Sequence, residues 1–206
     1  MRQHAFLRAP VRTAIPAIVT ALVLTATTPA DSTILLKMSL ERMAQDAVMV
    51  VQGHVAWDYS VRPDPTEPIF TYSGLEVSGC VAGECPETVI LKHEGGTVGE
   101  LTIFIPGMPK FTPGDEVLLF LEPDPNGEKD AFYTVGMVQG YFKIVTDPQS
   151  GVKTALQQLF GVTLASPGGD GVIAPVKSPG PLEANLQDLA KRIREAWKSK
   201  KKEGGK

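Results

Sequence analysis

The sequence predicts a mainly β fold, a closed antiparallel barrel with a small β-sandwich as the alternative, and three observations carry that reading. Short apolar runs recur at close, regular spacing between residues 48 and 145, with no helical pattern between them. The 43% hydrophobic content is enough to bury a core, which excludes wholesale disorder. Closure is favoured because it removes exposed strand edges. A short helix is expected before the barrel, and a linker and an amphipathic helix after it.

The chain opens with an address. Arg2, His4, Arg8 and Arg12 precede an apolar run from Ala14 to Ala26, and Thr28-Pro29-Ala30 supplies small residues at the −3 and −1 positions. Basic, then apolar, then small is the order of a cleavable signal peptide, so 1–30 is assigned to one. The run is short and interrupted by Pro16, which makes a permanent anchor the lesser alternative. The protein is therefore expected to be exported, to the periplasm or the extracellular space.

A barrel domain is expected over 31–147. Ser39 can cap a helix reaching about Ala47, with Leu40, Met43, Ala44 and Ala47 on one stripe. Val48–Trp57 reads as a long first strand in which Gly53 marks a bulge. A proline-rich connection leads to Ile69–Val77, and Thr88–Leu91 precedes the turn HEGGTVGE. Leu101–Ile105 is strand-like and ends at Pro106-Gly107. Val117–Leu121 is continuously apolar, as a strand buried on both faces should be. Phe132–Val135 and Gly140–Val145 complete the set.

From 148 to 181 the composition turns Gly/Pro-rich, and a linker is expected there. Over 182–206, Leu182, Leu186, Leu189, Ile193 and Trp197 recur at helical spacing and run into a basic tail. Docking of this helix on protein is favoured over an anionic membrane, because its polar face mixes Glu183, Asp188 and Glu195 with the bases.

Charge is unevenly distributed. Residues 31–206 carry a formal −6, with +6 concentrated in 191–206 and −12 in the remainder. An acidic body repels phosphates, so nucleic acid is not an expected partner. Cys80 and Cys85 are the two cysteines, and in an exported chain they are expected to form a disulfide. Four intervening residues do not fit the redox spacing, and a cysteine-only zinc site would need two more thiolates.

The strand VMVVQGHV, then FTYSGLEV, ETVILK, GGTVG, PGMPKFTPGDEVLLFL and VGMVQGYFKIV form a recurring order. It resembles an uncharacterised group of exported bacterial proteins. Their pattern in turn resembles the oligonucleotide/oligosaccharide-binding (OB)-like barrel of netrin-like modules and tissue inhibitors of metalloproteases. The likeness covers about Thr33 to Asp147 and is most specific over Pro109–Leu121. It implies an OB-like barrel and, through the inhibitors, a protease-associated role. In those inhibitors a mature N-terminal cysteine reaches the protease zinc. This chain would begin near Asp31-Ser32 and has no cysteine there, so no inhibitory residue carries over.

Residues able to do chemistry are few. His54 lies inside the first strand, and His93-Glu94 lacks the second histidine of a helical zinc motif. No serine sits in a GxSxG turn. Asp124, Asn126, Glu128 and Asp130 alternate like the start of a calcium loop, but Lys129 and Val135 stand where glycine and glutamate are required. A polar turn is the simpler reading, and neither metal nor cofactor is expected. Trp57 is expected to pack in the core with Tyr59 exposed, the alternative being an aromatic platform for sugar or peptide. Trp197 is the third candidate binding residue. The expected function is a non-enzymatic binding or interaction module with a protein partner reached through the terminal helix. A protease inhibitor and a histidine-based hydrolase or metal-dependent enzyme are the alternatives.

Overall fold

The computed structural model describes residues 33–169, 172–176 and 180–203. The segment read as a signal peptide lies outside the described residues. The chain runs through β1 (Thr33–Leu36), α1 (Leu40–Asp46), β2 (Met49–Val61), β3 (Phe70–Gly83) and β4 (Thr88–Glu94). A small hairpin follows, β5 (Gly96–Val98) and β6 (Leu101–Ile103), and then β7 (Glu116–Pro123) and β8 (Ala131–Thr134). A 3-10 turn at Met137–Gly140 leads to β9 (Tyr141–Thr146), β10 (Lys153–Gln157), β11 (Val162–Pro167) and β12 (Ile173–Pro175). The chain closes on β13 (Glu183–Asn185) and α2 (Leu186–Glu203).

Eight strands form the main sheet in the order β13-β10-β9-β7-β2-β3-β4-β8. Strand β8 also pairs with β7, so hydrogen bonds run in a circuit through β7, β2, β3, β4 and β8. The fold is mainly β with a helix near each end, as the sequence predicts. Two refinements follow. The sheet is mixed rather than purely antiparallel, since β8 runs parallel to β4 through Ile90↔Ala131 and Leu91↔Phe132. It also continues past the circuit onto β9, β10 and β13, so the circuit is part of a larger sheet and not a self-contained barrel.

Strand β7 explains the two-sided core. Leu118 and Phe120 point to one side, where they pack with Val50, Phe142 and the helix residues Leu40, Met43, Leu189 and Ile193. Val117, Leu119 and Leu121 point to the other, among Val51, Leu75, Leu91, Phe111 and Tyr141. A strand buried on both faces loses its polar alternation, which is why its sequence reads as an unbroken apolar run.

Local chemistry places both helices. The Ser39 hydroxyl accepts the Arg42 N–H at 3.1 Å, capping α1 where the sequence predicts. The α2 stripe buries Leu186, Leu189, Ala190 and Ile193 against the chain's own core. Burying each large side chain contributes roughly 1.5–3 kcal/mol, so α2 is held by its own body. It starts at Leu186 rather than Leu182, because residues 183–185 pair with β10 as β13.

The stretch expected as a linker carries three strands: β10 joins β9, and β11 lies parallel to β1 and antiparallel to β12. Its Val162 and Leu164 supply inward apolar contacts despite the surrounding glycines and prolines. The turn after β4 holds the β5–β6 hairpin. Cys80 and Cys85 are bonded, S–S 2.06 Å, at the far end of β3. That is compatible with an exported protein, and closing so short a loop restrains the unfolded chain by about 2 kcal/mol.

Candidate functional site

Strands β2, β3 and β4 make one ribbon with two chemically different faces. Cross-strand register sets them: Ser60, Thr71 and His93 lie in one row, Tyr59, Tyr72 and Lys92 in the next. Side chains in alternate rows point to opposite sides of the ribbon.

With Trp57, two residues before Tyr59 on the same side of β2, the second row forms a line of aromatic rings. The Trp57 and Tyr59 centroids are 5.4 Å apart, Tyr59 and Tyr72 5.8 Å, and all three rings are stacked. Trp57 is 40% exposed and Tyr59 52%, so the expectation that Trp57 enters the core is corrected. Two features bring it to the surface. The β2–β3 register shifts between Val55 and Trp57, so Val55 takes the inward place. Gly74 stands opposite Trp57, and any side chain there would collide with the indole. The bulge at Gly53, by contrast, lies where the sequence predicts one.

A charged node anchors the far end of the row. Lys92 is 7% exposed and bonds Asp124 at 2.9 Å and Glu128 at 2.6 Å. Its ammonium lies 4.7 Å above the Phe70 ring and 5.7 Å from that of Tyr72. The Tyr72 hydroxyl donates to Glu128 at 2.9 Å, tying the row to the node. Burial alone would lower the lysine pKa, but its bonds to Glu128 and Asp124 outweigh this and hold it above the ordinary range. Burial would likewise raise Asp124, yet Lys92 and the Asn126 N–H hold it below the usual carboxylate value. Beside the node, burial pushes Tyr133 up to about 12. The residues resembling a calcium loop thus serve an internal lysine, with Asp124 Oδ1 also accepting the Asn126 N–H at 2.8 Å. Among the described residues no group of three His, Cys, Asp or Glu side chains is arranged to hold a metal ion.

The first row lines a groove of about 420 Å³ between the ribbon and the β5–β6 hairpin. Thr71 donates to the Gly95 carbonyl at 2.8 Å. Ser60 therefore donates to Thr71 at 2.8 Å and itself accepts the Thr97 N–H at 3.1 Å. This hydroxyl chain clamps the hairpin, and only glycine fits at position 96, where φ is +132° and a side chain would strike both hydroxyls.

His93 is buried in the groove wall, with its ring centroid 6.0 Å from that of Phe111. Burial pulls its pKa down, partly opposed by its bond to the Glu94 carbonyl and by Asp58. Its Nδ1 lies 3.0 Å from that carbonyl. A carbonyl only accepts, so Nδ1 carries the proton and Nε2 is left as the acceptor. Among the described residues no carboxylate hydrogen-bonds His93 to orient it as a catalytic base. His54 is exposed on β2, opposite Glu116 of β7.

Trp197 belongs to a different place. It is half-buried against the helix-covered core, and Lys200 Nζ sits 4.7 Å above its ring while donating to the Ala47 carbonyl at 2.9 Å. The lysine closes the C-terminal end of α1, where a cation is favoured. Sequence reasoning singled out Trp57 and Tyr59 but missed Tyr72, Phe70 and Lys92. The signal was present: Tyr72 and Lys92 each fall directly opposite an aromatic once the β2–β3–β4 register is drawn.

No family model matches this chain, and neither does any curated protein.

Proposed function

We propose that the protein is an exported, non-enzymatic binding module whose recognition surface is the Trp57–Tyr59–Tyr72 row on β2 and β3. The single observation carrying this is three aligned aromatic rings at the surface, stacked on one another and fastened to a buried ion-pair node. Tyrosine and tryptophan offer wide contact area at little conformational cost, so rings already fixed in place lose little freedom on binding. Two centroid spacings of 5.4 and 5.8 Å suit an extended ligand, a glycan or an unfolded peptide segment lying along the strands. The disulfide supports export, and the short N-terminal address supports it further.

Tryptophan fluorescence with panels of soluble oligosaccharides and unstructured peptides tests the reading. Saturable binding is expected, reduced at least tenfold in Trp57→Ala and Tyr59→Ala with circular dichroism unchanged. Equal affinity in both variants would remove the row from recognition. A turnover lost on replacing both His54 and His93 by alanine, in a chain that still folds, would favour an enzyme instead. The protease-associated role implied by the likeness to metalloprotease inhibitors is tested with zinc proteases, where inhibition by the purified chain would favour it.

A further inference from the structure

The groove between the ribbon and the β5–β6 hairpin is separate from the aromatic row, because alternate rows point to opposite faces of the ribbon. Its volume of about 420 Å³ falls in the range of small-molecule sites. The wall is mostly apolar. Ile103, Ile105 and Met108 come from β6 and the segment after it, and the buried ring of Phe111 joins them. Most polar groups in the wall already have partners. The Ser60 and Thr71 hydroxyls are committed to the clamp on the hairpin, and the Thr97 and Thr102 hydroxyls bond each other at 3.0 Å. His93 is the exception. It is 9% exposed and its Nδ1 proton is taken by the Glu94 carbonyl, yet no group of the described residues reaches Nε2. Among the described residues the sealed side-chain atoms without a partner are Ser73 Oγ and Tyr133 Oη. Nε2 is not one of them, so it opens into the groove that His93 lines.

We infer that the groove binds a small uncharged molecule, an apolar ring system carrying one O–H or N–H that donates to His93 Nε2. Three features select that chemistry. Burial keeps the imidazole below its ordinary pKa, so at neutral pH Nε2 offers a lone pair and the ligand must bring the hydrogen. The charges along the groove cancel: Asp58 and Lys110 are both exposed and of opposite sign. Glu94 does not upset that balance, because it alternates to the other face of the ribbon, where its charge acts on Tyr133. The third feature is Phe104, which lines the groove and, at 76%, is the most exposed large apolar side chain described. A flat apolar body seated there would cover it. The buried acceptor also makes the site selective. An analogue of the same shape without the donor strips water from Nε2 and leaves it unpaired, which costs more than a lost contact.

The test titrates the full chain with 2-naphthol and with 2-fluoronaphthalene, which has nearly the same shape and no donor. The naphthol is expected to bind at least tenfold more tightly and to move the His93 Nε2 resonance upfield in nitrogen-15 spectra, with Nδ1 still protonated. His93→Phe, with circular dichroism unchanged, should bring the two affinities together. If that variant does not fold, the two ligands compared on the unsubstituted chain decide alone. Equal affinities there would overturn the inference, because donation would then play no part, and so would the absence of saturable naphthol binding. Saturable binding that leaves the His93 resonances unmoved would overturn it equally, since the ring would then sit elsewhere, on the Trp57–Tyr59–Tyr72 row above all. The row's own ligands, glycans and unstructured peptides, are read separately.

Discussion

The two sides of the ribbon and sheet are stabilised by different physics. Under the helices, Phe120, Phe142, Leu189 and Ile193 interlock with no charged group among the fully buried set. At the β4–β8 edge, Lys92 and Asp124 are buried as a pair beneath Phe70 and Tyr72. The first side depends on how completely apolar volume fills it and on no particular polar partner. The second depends on partnership, because either charge left alone is costly in a dry site. Packing therefore makes the stable platform, and the polar node fixes the orientation of the surface rings.

The sharpest way to probe the difference is to remove mass from the helix side. Phe120→Ala should cost about 4 kcal/mol in chemical denaturation, the loss of a fully buried ring plus the cavity it leaves. That penalty should be nearly the same at pH 5 and pH 8, since nothing titratable lines the gap. At the other edge, Lys92→Met should cost about 3 kcal/mol by stranding Asp124. Here a second change repairs the first: Lys92→Met combined with Asp124→Asn, which removes the stranded charge and keeps an acceptor for the Asn126 N–H, should recover most of the loss, an outcome that shape-limited sites do not allow. If the double variant is no better than the single, the node is held by packing and the contrast between the two sides disappears.

The smallest effect lies in pH. Burial keeps His93 below its ordinary value of 6.5, so the unfolded chain takes up a proton that the folded chain refuses. Stability should be constant above about pH 6.5 and fall as pH drops below it. His93→Gln, whose amide can still donate to the Glu94 carbonyl, should flatten that decline in thermal melts between pH 7 and 5. The carboxylates Asp124, Glu128 and Glu116 are all held low, so their contribution is lost only further down, as pH falls below about 4. A melt series lacking the upper step would show that His93 is hydrated.

What the sequence made legible follows from how local each signal is. The Ser39 cap, the bulge at Gly53, the α2 stripe and the doubly buried Val117–Leu121 run depend on neighbours within a turn or a strand, and each is found where expected. The strands β11 and β12 were hidden because Gly/Pro composition mimics a linker, and β1, the partner of β11, lies some 130 residues away. Trp57 was misplaced by a one-residue register shift, which reverses every later side chain. Lys92 sits in an alternating strand where a lysine reads as solvated. Its burial is decided by the 124–128 loop and by Phe70, which only the register of β3 and β4 brings together.

The parallel pairing of β1 with β11 has a temporal consequence. Ribosomes deliver a chain from its N-terminus, so Thr33–Leu36 emerge early and wait, unpaired, until Val162–Pro167 follow. During that interval the waiting segment is an unsatisfied, sticky edge, and whatever shields it governs how much of the nascent protein escapes aggregation.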